Sequence, residues 1–385
     1  MDSNKKRLVA GLSLNKLADL LISAKTTLPA LLVLLSAPSW MVGWLVPIRE
    51  SGALLPQAVL SFYLRRHSAR HVVWRVGMVV QIASALVMLL SVVLWDGVVA
   101  GAVILLALGL LSLGRSACSL TAKDIQADIT KKGERGHLIG IASTLSGVVT
   151  VAIALPLIML SDTFNMPMLM GILALSTMAF FATLMCMLPL RTHVDTGYTQ
   201  ADLFSVNFDS TVYKFIVVRG LYVHSALVAP YFMLQNEDNV GNLLPIYIGA
   251  EALATLLSSL IWGKLADKSA RLTLQVAGIL ALLACVGLLL TQGNTLSISA
   301  GLFFMLSIAH AGVRTGRKTY SLDVKEGHER TELVGFSNTS IGLILLAFGA
   351  LYAALTPMLS FSVVYIMAGF LVVAIVSTVL LPKEK

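Results

Sequence analysis

Gly263-Lys264-Leu265-Ala266-Asp267-Lys268-Ser269-Ala270-Arg271 is a short polar segment between two long apolar stretches. Its last three residues, Ser-Ala-Arg, also occur 201 residues earlier, at 68–70. Three further pairs share this offset: Pro29 with Pro230, Glu50 with Glu251, and Gly77 with Gly278. Matches in polar segments at a constant offset are hard to reach by chance, so the segment indicates that the chain contains an internal repeat.

The composition is that of a protein with many membrane spans. The 385 residues are 57% hydrophobic and 12% charged, whereas soluble proteins are about 45–50% apolar and 25% charged. A net charge of +8 could indicate a nucleic-acid partner, but the basic residues cluster in short gaps between apolar runs, which favours membrane orientation instead. The N-terminal MDSNKKR lacks a small-residue cleavage site, so we expect the first span to be retained.

About 20 mainly apolar residues cross the hydrocarbon core of a bilayer. On this basis the sequence predicts twelve spans: 15–37, 39–63, 72–94, 98–121, 137–160, 166–190, 210–234, 242–263, 272–291, 295–317, 333–356 and 360–381.

Lys and Arg occur in every second gap. These gaps hold Lys5, Lys6, Arg7, Arg65, Arg66, Arg70, Lys123, Lys131, Lys132, Arg135, Arg191, Lys264, Lys268, Arg271, Lys318, Lys325, Arg330, Lys383 and Lys385. The other gaps carry only Asp96, Asp162, Glu237 and Asp238. Because Lys and Arg are retained on the cytoplasmic side, both termini are expected in the cytoplasm, and we expect a multi-pass protein of the bacterial inner (plasma) membrane.

The repeat divides the chain in two. The predicted domains are an N-terminal six-helix bundle at 1–190, a cytoplasmic linker at 191–209 and a C-terminal six-helix bundle at 210–385. Because six spans return the chain to the same side, the two copies are parallel repeats related by an axis along the membrane normal.

In span number, orientation and repeat, the whole chain resembles the major facilitator superfamily. The segment 263–271 is similar to the superfamily's loop motif, a Gly, an Asp four residues later and then basic residues. The equivalent first-half segment, 62–70, keeps the basic residues but lacks the Gly and the Asp. The resemblance implies an all-α membrane protein of twelve transmembrane helices in two pseudo-symmetric six-helix bundles, and it reaches no subfamily.

In that family the loop is a cytoplasmic conformational latch, which assigns the role to Gly263, Asp267 and Arg271. Asp267 could accept hydrogen bonds from a neighbouring helix N-terminus or from Arg271. The alternative is that the segment is an ordinary basic loop.

Ionisable residues occur within the predicted spans, where a charge costs at least about 2.5–3.5 kcal/mol. Five of them lie roughly 13–18 Å from the nearest span end, namely Lys25, Arg49, Glu50, Arg219 and Glu251. Asp19, Arg115 and His310 lie nearer the cytoplasmic end. All eight belong to spans that line the central cavity in the fold the chain resembles, so they form the candidate substrate and proton site.

Arg49 and Glu50 are adjacent and their side chains point about 100° apart, so they cannot contact the same position from one helix face. Pro47, Gly52 and Pro56 predict a kinked second span. Glu50 is either a midplane substrate or proton site or part of an interhelical ion pair.

Glu251 is the repeat partner of Glu50, and the two carboxyl groups are the leading candidates for proton coupling. Arg219 lies one span earlier than Glu251, so an Arg219–Glu251 salt bridge is an alternative. His310 and His224 could relay protons or could be packing residues.

The excess of basic residues in the inner spans favours an anionic or zwitterionic solute. Gly114-Arg115-Ser116 resembles, weakly, the fourth-span arginine of proton-driven exporters. Cys118, Cys186 and Cys285 have no metal-ligand spacing and are interpreted as packing residues. No motif for ATP hydrolysis, metal binding or covalent catalysis is present, so no cofactor, metal site or catalytic residue is predicted, and the chain is not expected to be an enzyme.

The sequence therefore predicts a secondary active transporter in the lipid bilayer, coupled to H+ as a symporter or antiporter and working as a monomer without nucleic acid. The alternatives are a proton-driven multidrug exporter and a non-transporting membrane sensor or assembly partner.

Overall fold

The computed structural model describes residues 2–65, 69–130, 135–159, 165–192, 210–235, 239–291, 295–323 and 327–382. Within these ranges the secondary structure is helical, with short 3-10 turns and no strand. The α-helices are α1 Ser3–Leu21, α2 Thr27–Leu34, α3 Val42–Leu54, α4 Pro56–Arg65, α5 Arg70–Leu94, α6 Gly97–Ile129, α7 Arg135–Met159, α8 Met166–Met187, α9 Ser210–Leu221, α10 His224–Leu227, α11 Tyr231–Leu234, α12 Val240–Lys268, α13 Ala270–Thr291, α14 Leu296–Asp323, α15 Gly327–Leu359 and α16 Val363–Ser377.

Ten helical stretches of the described chain are long and apolar enough to cross a membrane. The first two predicted spans are absent from this set, and both are interrupted, at 22–26 and at Leu55. The predicted count of twelve spans and their arrangement in two bundles therefore stay predictions, whereas the all-helical, multi-pass character is confirmed.

The interruption of the second span falls at Leu55, between α3 and α4. Pro56 begins α4 and lacks the N–H that a continuous helix would need there. Pro47 is accommodated inside α3. The proline pattern thus predicted the kink, and the structure places it at the second proline.

The first span is interrupted at 22–26, where the sequence has neither Pro nor Gly to signal a break. The seventh predicted span is likewise divided, into α9, α10 and α11, with Pro230 immediately before α11. Irregular backbone at membrane depth is tolerated where it faces protein or a water-filled cavity. These interruptions are therefore expected to face the interior.

Helix packing repeats between the two halves of the chain, which we define as residues 2–192 and 210–382. In the first half α5 packs along α6 and α8, and in the second half α13 packs along α14 and α16 in the same order. Gly77 permits the first of these crossings, since a Cβ on Gly77 would lie 2.7 Å from the carbonyl oxygen of Gly114. The repeat seen in the sequence therefore corresponds to repeated helix contacts.

An arginine in the first turns of α5 and one at the start of α13 each contact the end of another helix in the same half. Arg75 donates to the carbonyl oxygen of Leu188, just past α8, at 2.6 Å. Arg271 donates to the carbonyl oxygen of Leu381, just past α16, at 3.5 Å. Both side chains satisfy carbonyl groups at the ends of helices, which lack partners within the helix.

The two halves contact each other through α3 with α15 and through α7 with α12. We call the side at which α1 begins the terminal side and the opposite side the far side. Near the far side, six residues of one larger apolar core come from both halves and are at most 2% exposed. We call them the apolar cluster: Leu31, Met41 and Val42 from the first half, and Tyr231, Phe232 and Leu244 from the second. On this side α2 contacts α11 and α12, so the apolar cluster helps to hold the two halves together there.

The linker predicted at 191–209 lies outside the described residues from 193 onward, so the division into domains stays a prediction. Several of the charged loop residues used to predict the orientation also lie outside the described residues: Arg66, Lys131, Lys132, Asp162, Glu237, Asp238, Lys325, Lys383 and Lys385.

Candidate functional site

A polar cavity of about 420 Å³ lies between the two halves, on the terminal side of the apolar cluster. Its lining includes six of the eight predicted site residues: Asp19, Lys25, Arg49, Glu50, Arg115 and Glu251. The first half contributes α1, α3, α6 and α7, and the second half contributes α12 and α14. The structure thus brings most of the intramembrane charges together in one place.

Helical periodicity explains why these residues share the cavity. On α1 the polar face runs through Lys16, Asp19 and, just past the helix end, Ser23. On α12 it runs through Glu251, Thr255 and Ser258, at spacings of four and three. Residues three and four apart lie on one face of a helix. Each helix therefore presents a single polar stripe to the cavity.

Asp19 is the central acceptor of the first-half wall. Arg49 donates to Asp19 Oδ1, and Arg115 Nη1 lies 3.2 Å from the same oxygen. The Arg49 side chain is 6% exposed, and its Nη1 has no hydrogen-bond partner among the described residues. The Arg115 side chain is 39% exposed. One carboxylate therefore holds two guanidinium groups, and one of these is open to the cavity.

Glu251 joins the second half to the interruption of the first span. Ser23 Oγ donates to Glu251 Oε2 at 3.0 Å, and Lys25 Nζ lies 4.0 Å from Glu251 Oε1. The backbone N–H of Lys25 donates to Ser23 Oγ at 3.2 Å. The break at 22–26 is thus stabilised by a carboxylate that the other half supplies.

Glu50 differs from the other two carboxylates of the cavity. It makes no hydrogen bond, and no ion pair within 4 Å, to any residue that the structure describes. The charges that act on it are more distant, chiefly those of Lys25, Arg115 and Arg317. Glu50 is therefore a cavity carboxylate that is available for a proton or for a ligand.

His310 lies beside a smaller cavity of about 40 Å³, which Lys25 and Glu251 also line. Its Nδ1 is 3.1 Å from Ser225 Oγ. A space of this size can hold ordered water. His310 is thus a neighbour of the main site, because Lys25, Glu251 and Arg314 line both cavities.

Arg219 is buried outside the cavity. Its guanidinium donates to Ser337 Oγ at 2.7 Å and to Asn338 Oδ1 at 2.8 Å, so the alternative pairing with Glu251 is not formed. Asn338 in turn donates to Gln57 Oε1 of the first half at 3.3 Å. Arg219 therefore connects α9 to α15 through neutral partners.

His224 is also placed outside the cavity. It is fully buried, its Nε2 lies 2.6 Å from the Tyr352 hydroxyl, and its ring stacks on Phe370. These contacts are those of a packing residue, which was one of its two predicted roles.

The predicted latch residues lie at the terminal-side end of α12 and the start of α13. Asp267 is exposed and makes no hydrogen bond or ion pair to the described part of the chain. Arg271 donates to Leu381, and a Cβ on Gly263 would meet no atom within 4 Å. The Asp267–Arg271 contact is thus not made in this conformation, and the latch role stays a prediction.

Sequence reasoning missed several cavity residues, because it looked for charges at mid-span depth. These are Lys16, Ser143, Ser146, Thr255, Ser258, Arg314 and Thr315. A search for polar residues three, four and seven positions from the predicted site residues would have found four of them: Lys16, Thr255, Ser258 and Arg314. Among the described residues, no group of three or more potential ligands could hold a metal ion.

Comparison with known proteins shows a similarity in the C-terminal part of the chain. The family model of the Major Facilitator Superfamily matches residues 246–385. No curated protein sequence matches the chain.

Solved structures of similar fold cover nearly the whole chain. A D-xylose-proton symporter has a TM-score of 0.73 at 10% identity, over 98% of this chain and 97% of the other. The nucleoside transporter NupG has a TM-score of 0.71 at 12% identity, over 99% of this chain and 100% of the other. A bacterial homologue of the iron transporter ferroportin, in an inward-facing state, has 0.71 at 15%, over 98% of both chains. At these identities the structures show the fold alone.

The family match and the fold confirm the predicted resemblance. Residues 246–385 are thus similar to the Major Facilitator Superfamily, the described chain has the apolar helices of a multi-pass membrane protein, and no subfamily is identified.

Proposed function

We propose that the chain is a secondary active transporter that carries a small organic anion or zwitterion by alternating access. The cavity between the halves carries the proposal. Its lining holds five basic side chains, Lys16, Lys25, Arg49, Arg115 and Arg314, against the three acidic ones, Asp19, Glu50 and Glu251. An excess of positive charge in a site shielded from bulk water favours a ligand with a carboxylate or phosphate group.

Alternating access is supported by the unequal ends of the cavity. Buried apolar residues of both halves lie on the far side of the cavity, whereas its own lining is mostly charged or hydroxylated, which favours access from the terminal side. The halves meet mainly along two helix pairs, α3 with α15 and α7 with α12. A rocking motion about these contacts would close the terminal side and open the far side.

Proton coupling is supported by Glu50. A carboxylate that has no ion-pair partner among the described residues and lines a cavity that water can enter can take up and release a proton during the cycle. Glu251 is the second candidate, although Ser23 and Lys25 already hold it. One of the proteins of similar fold is itself a proton symporter.

The alternative function, export of lipophilic compounds, agrees less well with the side chains that line the cavity. The described residues that line it include no aromatic side chain, and most of them are charged or hydroxylated. Sites for lipophilic ligands are lined mainly by apolar and aromatic side chains.

We further propose that the protein works as a monomer in the bacterial inner membrane, with both termini in the cytoplasm.

The test begins with the purified protein and a panel of small organic acids, amino acids and phosphate esters. A ligand that binds the folded state raises the melting temperature. The solutes that do so are then assayed for uptake into proteoliposomes, with and without an imposed pH gradient.

We expect Glu50→Gln to abolish the stimulation of uptake by the gradient and Glu251→Gln to weaken it. The exposed Asp128→Asn, which lies outside the cavity, serves as the control and should behave as wild type. If both glutamate variants keep full gradient-driven transport, neither residue couples protons.

A further inference from the structure

Two basic side chains face the same cavity from opposite halves. Lys16 is on α1 and Arg314 is on α14, and both line the cavity. They lie toward its terminal side, since Lys16 precedes Ser23 by seven residues, or about 10 Å along a helix, and Arg314 follows His310 by about 6 Å. They therefore stand where the two walls must approach each other when the terminal side closes.

Neither cation is neutralised within the described chain. Lys16 donates to the neutral Ser143 Oγ. Arg314 is exposed and makes no hydrogen bond or ion pair to the residues described. The nearest carboxylate on α1, Asp19, already serves Arg49 and Arg115. The electrostatic interaction between Lys16 and Arg314 is repulsive.

Closing the terminal side would bring these like charges closer together and remove water from between them. Both steps raise the free energy, because repulsion grows as distance and local dielectric constant fall. An anion between the two groups reverses the sign of the interaction. It would accept hydrogen bonds from the ammonium of one half and from the guanidinium of the other.

We propose that Lys16 and Arg314 form an anion site that spans the two halves, and that the terminal side closes only when a carboxylate or phosphate group occupies it. The proposal rests on the proposed function and deepens it. A carrier of this kind cannot readily return empty, so exchange of internal for external anion is faster than net uptake.

The experiment measures closure directly, without transport. Spin labels are attached to cysteines introduced at Asn4 and Lys318, both exposed on the terminal side, in a background whose three native cysteines are replaced by serine. Distance distributions are recorded by double electron–electron resonance. Succinate and inorganic phosphate are the probes, and glycerol is the neutral control.

In buffer without either probe, we expect wild type to show the long distance and to gain a short-distance population with succinate or phosphate. Lys16→Gln and Arg314→Gln should populate the short distance without any probe. Lys16→Glu should do so most strongly, because it pairs with Arg314. The exposed Lys123→Gln, outside the cavity, should match wild type.

The proposal is overturned if Lys16→Glu and Arg314→Gln keep the wild-type distances, or if neither probe shifts wild type. A response to succinate alone identifies carboxylates as the ligands, and a response to phosphate alone identifies phosphates. A protein that closes on a probe but moves no solute in proteoliposomes contradicts the proposed function and not this site.

Discussion

Arg49 in the first half and Arg219 in the second are both buried arginines within predicted spans, yet the molecule holds them differently. Arg49 is paired with a carboxylate in the cavity wall. Arg219 is held by a hydroxyl and an amide between α9 and α15, away from the cavity. The contrast shows that depth in a span does not by itself place a charge in the functional site.

Two of the cavity carboxylates, Asp19 and Glu251, lie on a polar stripe of their own helix. Asp19 has Lys16 and Ser23 three and four residues away, and Glu251 has Thr255 four residues away. Arg219 lies between Val218 and Gly220 on a short helix without a second charged residue in its last turn. On α1 and α12 the cavity lining therefore extends over several helical turns and is not confined to one residue.

The largest effect on this comparison is expected from Asp19→Asn. Arg49 would then be buried without a counter-charge, beside the like charge of Arg115, and breaking such a pair costs about 3–5 kcal/mol. We expect a clear fall in the melting temperature of the purified protein. Asp19→Glu should restore part of it, and the exposed Asp128→Asn should have no effect. A melting temperature at the wild-type value would show that the pair does not stabilise the fold.

A smaller effect is expected from Ser337→Ala, which removes one hydrogen bond from the Arg219 guanidinium. Hydrogen bonds to charged groups contribute about 1.5–3 kcal/mol, and Arg219 Nε already lacks a partner among the described residues. The matched control is Ser377→Ala, whose hydroxyl, among the described residues, bonds only to the Ala374 carbonyl of its own helix. Equal losses in the two variants would indicate that Ser337 is not a specific partner of Arg219.

The smallest effect on stability is expected from Asp267→Asn. At the terminal side, a charge is paired in the first half and its carboxylate counterpart is not in the second. Arg70 pairs with Asp124 at 3.2 Å, whereas the exposed Asp267 makes no ion pair to the described chain. We expect unchanged membrane abundance and melting temperature but slower transport, if Asp267 latches another conformation. Transport at the wild-type rate would argue against a latch.

The helical, membrane-spanning fold and the internal repeat could be predicted, because apolar length and charge asymmetry are local signals. The kink near Pro56 was also predictable, because a proline within a span is a local signal. The break at 22–26 was not, since its stabilising partner, Glu251, lies more than 200 residues away in the chain.

The site was predicted in part. Periodic stripes could have indicated Arg314 and Lys16, but the partners of Arg219 depend on how α9 packs against α15. Nothing in the sequence near Arg219 distinguishes Ser337 from Glu251 as its partner. Such pairings become visible only once the helices are placed relative to one another.

The central claim is that the solute binds in the cavity and is held there by its basic side chains. The most direct test is the affinity for the best-stabilising organic anion, measured for Arg115→Gln beside Ser337→Ala. Because Arg115 is open to the cavity, we expect its loss to weaken binding about tenfold or more, which corresponds to about 1.4 kcal/mol, while Ser337→Ala keeps the wild-type affinity. Unchanged affinity in Arg115→Gln, or an equal loss in both variants, would contradict the account.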